Sequence, residues 1–249
     1  MNKNNITKRE VGKIYTEFSN SRAKSYSVPR QFLQKFAEEF ATMSSLYMGR
    51  HNILECPPFG FRERQLSTVL SPIFHRICDY HLQEAPTYRM WSQLSRNESL
   101  MDSHGWTDFL CMYKDYAFLV EIKHSHISYE SGKPDKHSVE HLWSTLNRQI
   151  KSAKTDSYWY RDKCKGVFRL GLHIMPVYQS TTKENFELDF DMNRLHDMLT
   201  NIGNKFKPQP SFLSMWSLHK NLRGPYILDD RHYYYPAVSM AGILTKLID

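Results

Sequence analysis

Asp108, Glu121 and Lys123 are the residues in this chain whose types and spacing point most directly to chemistry. Asp108 opens an apolar run, Phe109-Leu110-Cys111-Met112-Tyr113, and Glu121-Ile122-Lys123 closes a second, Tyr116-Ala117-Phe118-Leu119-Val120. Between the runs lies a polar pair, Lys114-Asp115. Side chains alternate along a strand, so Glu121 and Lys123 share one face. A hairpin would bring Asp108 beside them, with all three groups converging at its tip. Two carboxylates and an ammonium at the end of an apolar strand are costly to desolvate. A divalent cation and a phosphate would offset that cost.

Phosphodiester cleavage needs charge neutralised on the phosphate, a water held for in-line attack and a stabilised leaving oxygen. One or two Mg²⁺ ions can serve all three needs. Mg²⁺ takes carboxylate and water oxygens in an octahedral shell, and Mn²⁺ can take its place. Asp108 and Glu121 are therefore the expected metal ligands, with the Ile122 backbone carbonyl as an additional donor. Lys123 would stand beside the metal-bound water, orienting it, lowering its pKa or holding the scissile phosphate. Plainer roles stay open. Glu121 and Lys123 could form an ordinary ion pair on a solvated strand face, and Asp108 could serve the local turn. The apolar character of both faces from Ala117 to Ile122 makes the polar pair stand out against the first of these.

The elements that must position these groups follow from hydrophobic period and breakers. Residues 1–28 are polar and read as an irregular arm or a short helix. Phe32, Leu33, Phe36, Phe40 and Met43 recur at helical spacing, so 29–48 is expected to be an amphipathic helix opened by Pro29. A second helix is expected over about 62–84, with Pro72 inside it and Pro86 ending it. An edge strand over 88–94, a polar loop over 95–104 and the hairpin of 106–123 follow. A loop over 124–137 leads to a third helix at 137–154 and a buried strand at 165–178. A helix at 193–202, a strand at 212–218 and a C-terminal helix near 236–247 complete the chain. No repeat or low-complexity linker appears, so one domain is expected.

Asp108 with Glu121-Ile122-Lys123 resembles the PD-(D/E)xK motif of restriction-endonuclease-like nucleases, over about residues 61–178. The resemblance implies an α/β fold: a restriction-endonuclease-like core with a central mixed β-sheet flanked by helices, plus an extra N-terminal helix. One nuclease-like domain would then span 1–249, with an N-terminal helical arm at 1–50, the core at 61–178 and an extension at 179–249. It also implies two further site residues. Glu63, at the start of the second helix, matches an acid that supports the metal, often through water. Gln149, on the third helix, matches a glutamine near the active site. Glu63 could equally be a first-turn acid favoured by the helix dipole, and Gln149 a solvent-facing residue. Two departures are visible: Thr107 stands where the motif has proline, and Pro72 interrupts the Glu63 helix. The implied activity is a Mg²⁺-dependent endonuclease acting on nucleic acid, with DNA favoured. Such nucleases often pair, so a homodimer is implied too. A protein that keeps the fold and binds nucleic acid or a partner without cutting is the alternative.

Composition sets the outer bounds. Lys and Arg number 33 against 26 Asp and Glu, a formal charge of +7, which favours an anionic partner such as nucleic acid. Lys151, Lys154, Arg161, Lys163 and Lys165 form a basic run suited to backbone phosphates, or a solvated helix face. Tyr158, Trp159 and Tyr160 within it could stack on bases or pack in the core; Tyr233, Tyr234 and Tyr235 read as packing. His124 and His126 lie just past Lys123, where they could touch phosphate or simply end a strand. His75 and His81, six apart on the expected helix, are poorly spaced as metal ligands. The four cysteines form no paired motif, which argues against a paired-cysteine zinc site and suits a reducing cytoplasm. No signal peptide and no membrane span are expected.

Overall fold

A computed structural model describes residues 11–19, 26–49, 56–60, 63–90, 102–134, 138–154, 164–182, 190–228 and 230–248. Among the described residues, four helices flank a mixed ten-stranded sheet. The helices are α1 (Ser27–Gly49), α2 (Glu63–Ile77), α3 (Val139–Ser152) and α4 (Met192–Lys205). The strands are β1 (Gly12–Phe18), β2 (Tyr80–Met90), β3 (Asp102–Tyr113), β4 (Tyr116–His124), β5 (Ile127–Ser128), β6 (Ala153–Lys154), β7 (Gly166–Thr181), β8 (Phe212–Leu218), β9 (Tyr226–Leu228) and β10 (Arg231–Ile248). The sheet runs β1-β8-β10-β7-β4-β3-β2-β6, with β5 on β7 and β9 on β10. Among the described strands, only the β4–β7 and β5–β7 pairs are parallel. A parallel pair needs a long crossover, and α3 lies in the one from β4 to β7.

Each face of the sheet is covered because each helix has one apolar stripe. Phe32, Leu33, Phe36 and Phe40 of α1 and Leu66, Leu70, Ile73 and Phe74 of α2 bury against Phe109, Phe118, Val120, Leu170 and Leu172. Phe32 stacks on Phe118 with ring centroids 4.3 Å apart. On the opposite face, Trp143, Leu146 and Ile150 of α3 join Ile202 of α4 and Phe206. Pro72 does not break α2. Its ring costs the helix a hydrogen bond to the Thr68 carbonyl, and that carbonyl lies 3.4 Å from the Tyr47 hydroxyl.

Several expected elements are different. The N-terminal region is no irregular arm where it is described: residues 12–18 form β1, an edge strand on β8. α1, the expected N-terminal helix, packs into the core against α2 and the sheet. α2 ends at Ile77, and residues 80–90 form β2, paired with β3 in place of the helix expected to reach 84. Residues 102–104 belong to β3 rather than to a loop, and the short β5 interrupts the loop expected at 124–137. The C-terminal helix is the long strand β10, seated between β8 and β7. Its central residues are buried from both sides, which removes the alternation that marks a half-exposed strand. Tyr234 and Tyr235 are buried and Tyr233 packs beside them, as expected.

Candidate active site

The β3–β4 hairpin turns at Lys114-Asp115, whose φ values of 50° and 65° give the two-residue turn that matches strand twist. Asp79 Oδ2 accepts from the Lys114 backbone N–H at 2.8 Å and braces this strained position. The ladder then runs from Tyr113↔Tyr116 to Phe109↔Val120 and stops. Asp108 and Glu121 lie just beyond the last rung. The acids thus gather at the open mouth of the hairpin, not at the turn where its tip was expected.

Beyond that last rung, side chains replace backbone pairing. The Thr107 hydroxyl donates to the Val120 carbonyl at 2.9 Å, and the Ile122 N–H donates to Asp108 Oδ2 at 2.6 Å. A proline at 107 could not make the first contact, so the departure from the motif has a structural use. Asp108 is thereby held against the Glu121-Ile122 peptide. Asp108 shares the alternation of Leu110, and Glu121 and Lys123 that of Leu119, so all three lie toward one face. Glu121 is 3% exposed.

α3 packs over that face. Glu121 sits beside Gly171 of β7, and a Cβ added at Gly171 would come within 2.8 Å of Leu146 Cγ. The bare glycine lets α3 approach the sheet next to Glu121. Gln149 is half-buried on α3, one residue before the core residue Ile150.

Lys123 reaches around the strand end. Its Nζ donates to Glu63 Oε1 at 2.9 Å and to the Ile122 carbonyl at 3.0 Å. Glu63 opens α2, where an acid is favoured by the helix dipole. The pair is asymmetric: the Lys123 side chain is 13% exposed and that of Glu63 is 43% exposed.

The histidines past Lys123 do structural work. His124 Nε2 bonds the Phe59 carbonyl at 2.8 Å, and His126 Nε2 bonds the Gly60 carbonyl at 3.1 Å. A carbonyl only accepts, so both rings carry a proton on Nε2. Together they tie the 58–60 turn, just ahead of Glu63, to the end of β4. Burial, with His126 and His173 nearby, pushes His124 down to about 3. His173 lies beside Lys123 in the β4–β7 register and bonds the Ser125 hydroxyl. Burial and the Lys123 charge push it down to about 3 as well. Both are neutral imidazoles at physiological pH. Nothing in the sequence marked His173.

Other expected residues lie elsewhere. Lys165 is exposed at the turn end of the hairpin, where it pairs with Asp115 at 2.8 Å. Lys151 is exposed in the last turn of α3. The backbone of Lys154 belongs to β6. Arg161, Lys163 and the aromatic residues 158–160 lie outside the described residues. His81 is on β2, not on the helix with His75. The two rings nonetheless meet, with centroids 6.0 Å apart.

The donor set can be weighed against Mg²⁺. Among the described residues, no three or more His, Cys, Asp and Glu side chains gather in a metal-binding group. Asp108 and Glu121 are hard oxygen donors, while Glu63 is engaged by Lys123. Mg²⁺ keeps several waters and commonly binds through one or two carboxylates, so the set fits it. A zinc site closed by four protein ligands is not what these residues form. Comparison of the chain with models of known protein families, with curated proteins and with solved structures returns no match.

Proposed function

We propose that this chain is a metal-dependent nuclease that hydrolyses phosphodiester bonds, with DNA the favoured substrate. The observation that carries the reading is Asp108 held on the Ile122 N–H beside buried Glu121, with the Lys123 ammonium at the same strand end. Asp108 and Glu121 would hold Mg²⁺, with the Ile122 carbonyl as a further donor and Glu63 supporting it from the outer shell. When bound, the ion neutralises phosphate charge and lowers the pKa of water. The chain supplies the rest. The Ile122 N–H fixes one Asp108 oxygen and so aims the carboxylate. Lys123, released from Glu63, can hold a phosphate oxygen or orient the attacking water. Gln149 is assigned to the rim of the site on the α3 side. Lys151, Lys154, Arg161, Lys163 and Lys165 are assigned to phosphates farther along the substrate, in keeping with the net charge of +7. Two copies would be needed to cut both strands of a duplex at once.

The reading takes a reducing cytoplasm as its setting, since Cys56, Cys78, Cys111 and Cys164 are free thiols. No helix among the described residues is long and apolar enough to cross a membrane. A second reading is a nuclease-fold module that binds nucleic acid or a partner without cutting. The Glu63–Lys123 ion pair favours it, because an ammonium already neutralised is a weaker phosphate ligand.

The test is incubation with plasmid, linear duplex, single-stranded DNA and RNA in Mg²⁺, Mn²⁺ or EDTA. Cleavage that disappears in EDTA and in Asp108→Ala supports the enzyme. Binding without cleavage under every condition supports the module.

A further inference from the structure

We propose that Trp106 is a nucleobase-stacking platform beside the candidate active site, which takes an unpaired base next to the phosphate held at Asp108 and Glu121. The proposal rests on the nucleic-acid reading of that site and extends it to a strand with at least one base out of the duplex. Trp106 is 64% exposed, the highest value among the exposed large hydrophobic residues described. An indole is large and mostly apolar, and it is usually largely buried. The other two described tryptophans follow that rule: Trp143 and Trp216 are fully buried.

Position gives the exposure meaning. Trp106 precedes Asp108 by two residues on β3, about 7 Å along the strand and on the same face by alternation. Its partner across the β2–β3 ladder is Pro86, which is itself exposed. Glu84, next along β2, has φ 49° in a strand that otherwise pairs regularly on either side of it. That left-handed residue lies in the register gap opposite Asp108 and is exposed.

The surroundings do not suit a protein interface core. Trp106 is flanked by Asp108 on its own strand and by exposed Glu84 across the ladder. A protein interface core is depleted in charge and needs a contiguous apolar patch. A base needs only one flat face, and stacking tolerates any base identity. A duplex buries its bases, so only a single strand, an end or an everted nucleotide can use the ring.

The experiment measures binding of fluorescent single-stranded and duplex oligonucleotides to full-length protein in EDTA at low salt, so that cleavage plays no part. Trp106→Ala is expected to weaken single-strand binding roughly 5- to 150-fold, the range for losing one stacked base. Trp106→Phe should recover most of that loss, and blunt duplex binding should change little. In the wild type, single-stranded oligonucleotide should quench an emission component that is missing from Trp106→Phe. Unchanged single-strand affinity in Trp106→Ala overturns the proposal while leaving the nuclease reading intact. Failure of the wild type to bind any nucleic acid, in EDTA and in Mg²⁺ alike, overturns both. A change in sedimentation mass of Trp106→Ala, with affinity unaltered, shows instead that the ring meets another protein copy. Cleavage that fails while the stacking results hold removes the catalytic claim alone.

Discussion

Lys123 shows how much one side chain can be asked to do at this strand end. Its ammonium bonds Glu63 and the Ile122 carbonyl and lies near neutral His173. Lys123→Ala is expected to lower kcat about 10²- to 10⁴-fold, the range for a positioned proton-transfer or water-orienting group. Stability should fall by no more than about 1 kcal/mol, since half-exposed Glu63 can rehydrate. Single-turnover cleavage and urea denaturation check the two parts separately. The buried histidines make a pH prediction. His124 and His173 are held near 3 in the fold, whereas an unfolded histidine takes up its proton near 6.5. Their contribution is fully present above about pH 6.5 and is lost as pH falls towards 3. The loss is up to about 1.4 kcal/mol per pH unit for each ring. Urea midpoints should be flat from about pH 7 to 8, fall from about 6.5 to 5, and fall less steeply in His173→Gln. Equal slopes in both proteins would show that His173 is not a source of the effect.

Among the elements, the β3–β4 hairpin and α3 set the site. The hairpin was readable because two apolar runs bracket Lys114-Asp115, and its register then places Asp108 opposite Glu121. α2 began where expected, with Glu63 in its first turn, but its end was misplaced by seven residues. The apolar stripe ends at Ile77, and nothing in 78–84 distinguishes a fraying helix from the start of an edge strand. Gly171 carries the element-scale prediction. Gly171→Ala forces a Cβ against Leu146 and should cost about 1 to 3 kcal/mol by overpacking. It should also lift α3 from the Glu121 face and lower activity beyond what the stability loss explains. Leu146→Ala in the same chain should relieve the clash, and denaturation of the two single variants and the double variant measures that coupling.

For the molecule as a whole, the first and last described strands belong to one sheet. β10 separates β8 from β7, and β1 reaches the sheet only through β8. Removal of residues 231–249 would strand β1 and β8 and leave both new edges unpaired. The truncated chain is expected to lose its cooperative thermal transition, which circular dichroism reads directly. A truncated protein that still melts cooperatively would show that 179–249 is an extension after all. The segment expected as a C-terminal extension, 179–249, supplies β8 and β10, which both have neighbours on either side in the sheet.

By itself the sequence determined what depends on near neighbours. Helical spacing in α1 and α3, the hairpin turn, and the placing of Glu121 and Lys123 on one strand face all arise from local backbone period. Tertiary structure alone decided that β10 is a strand, because a segment covered on both sides carries no alternating pattern to read. It alone brought Glu63 to Lys123 across sixty positions and tied His124 and His126 to the turn ahead of α2. It alone left Trp106 at the surface. Those outcomes depend on which distant backbone groups and apolar faces remain to be satisfied once the sheet has closed around them.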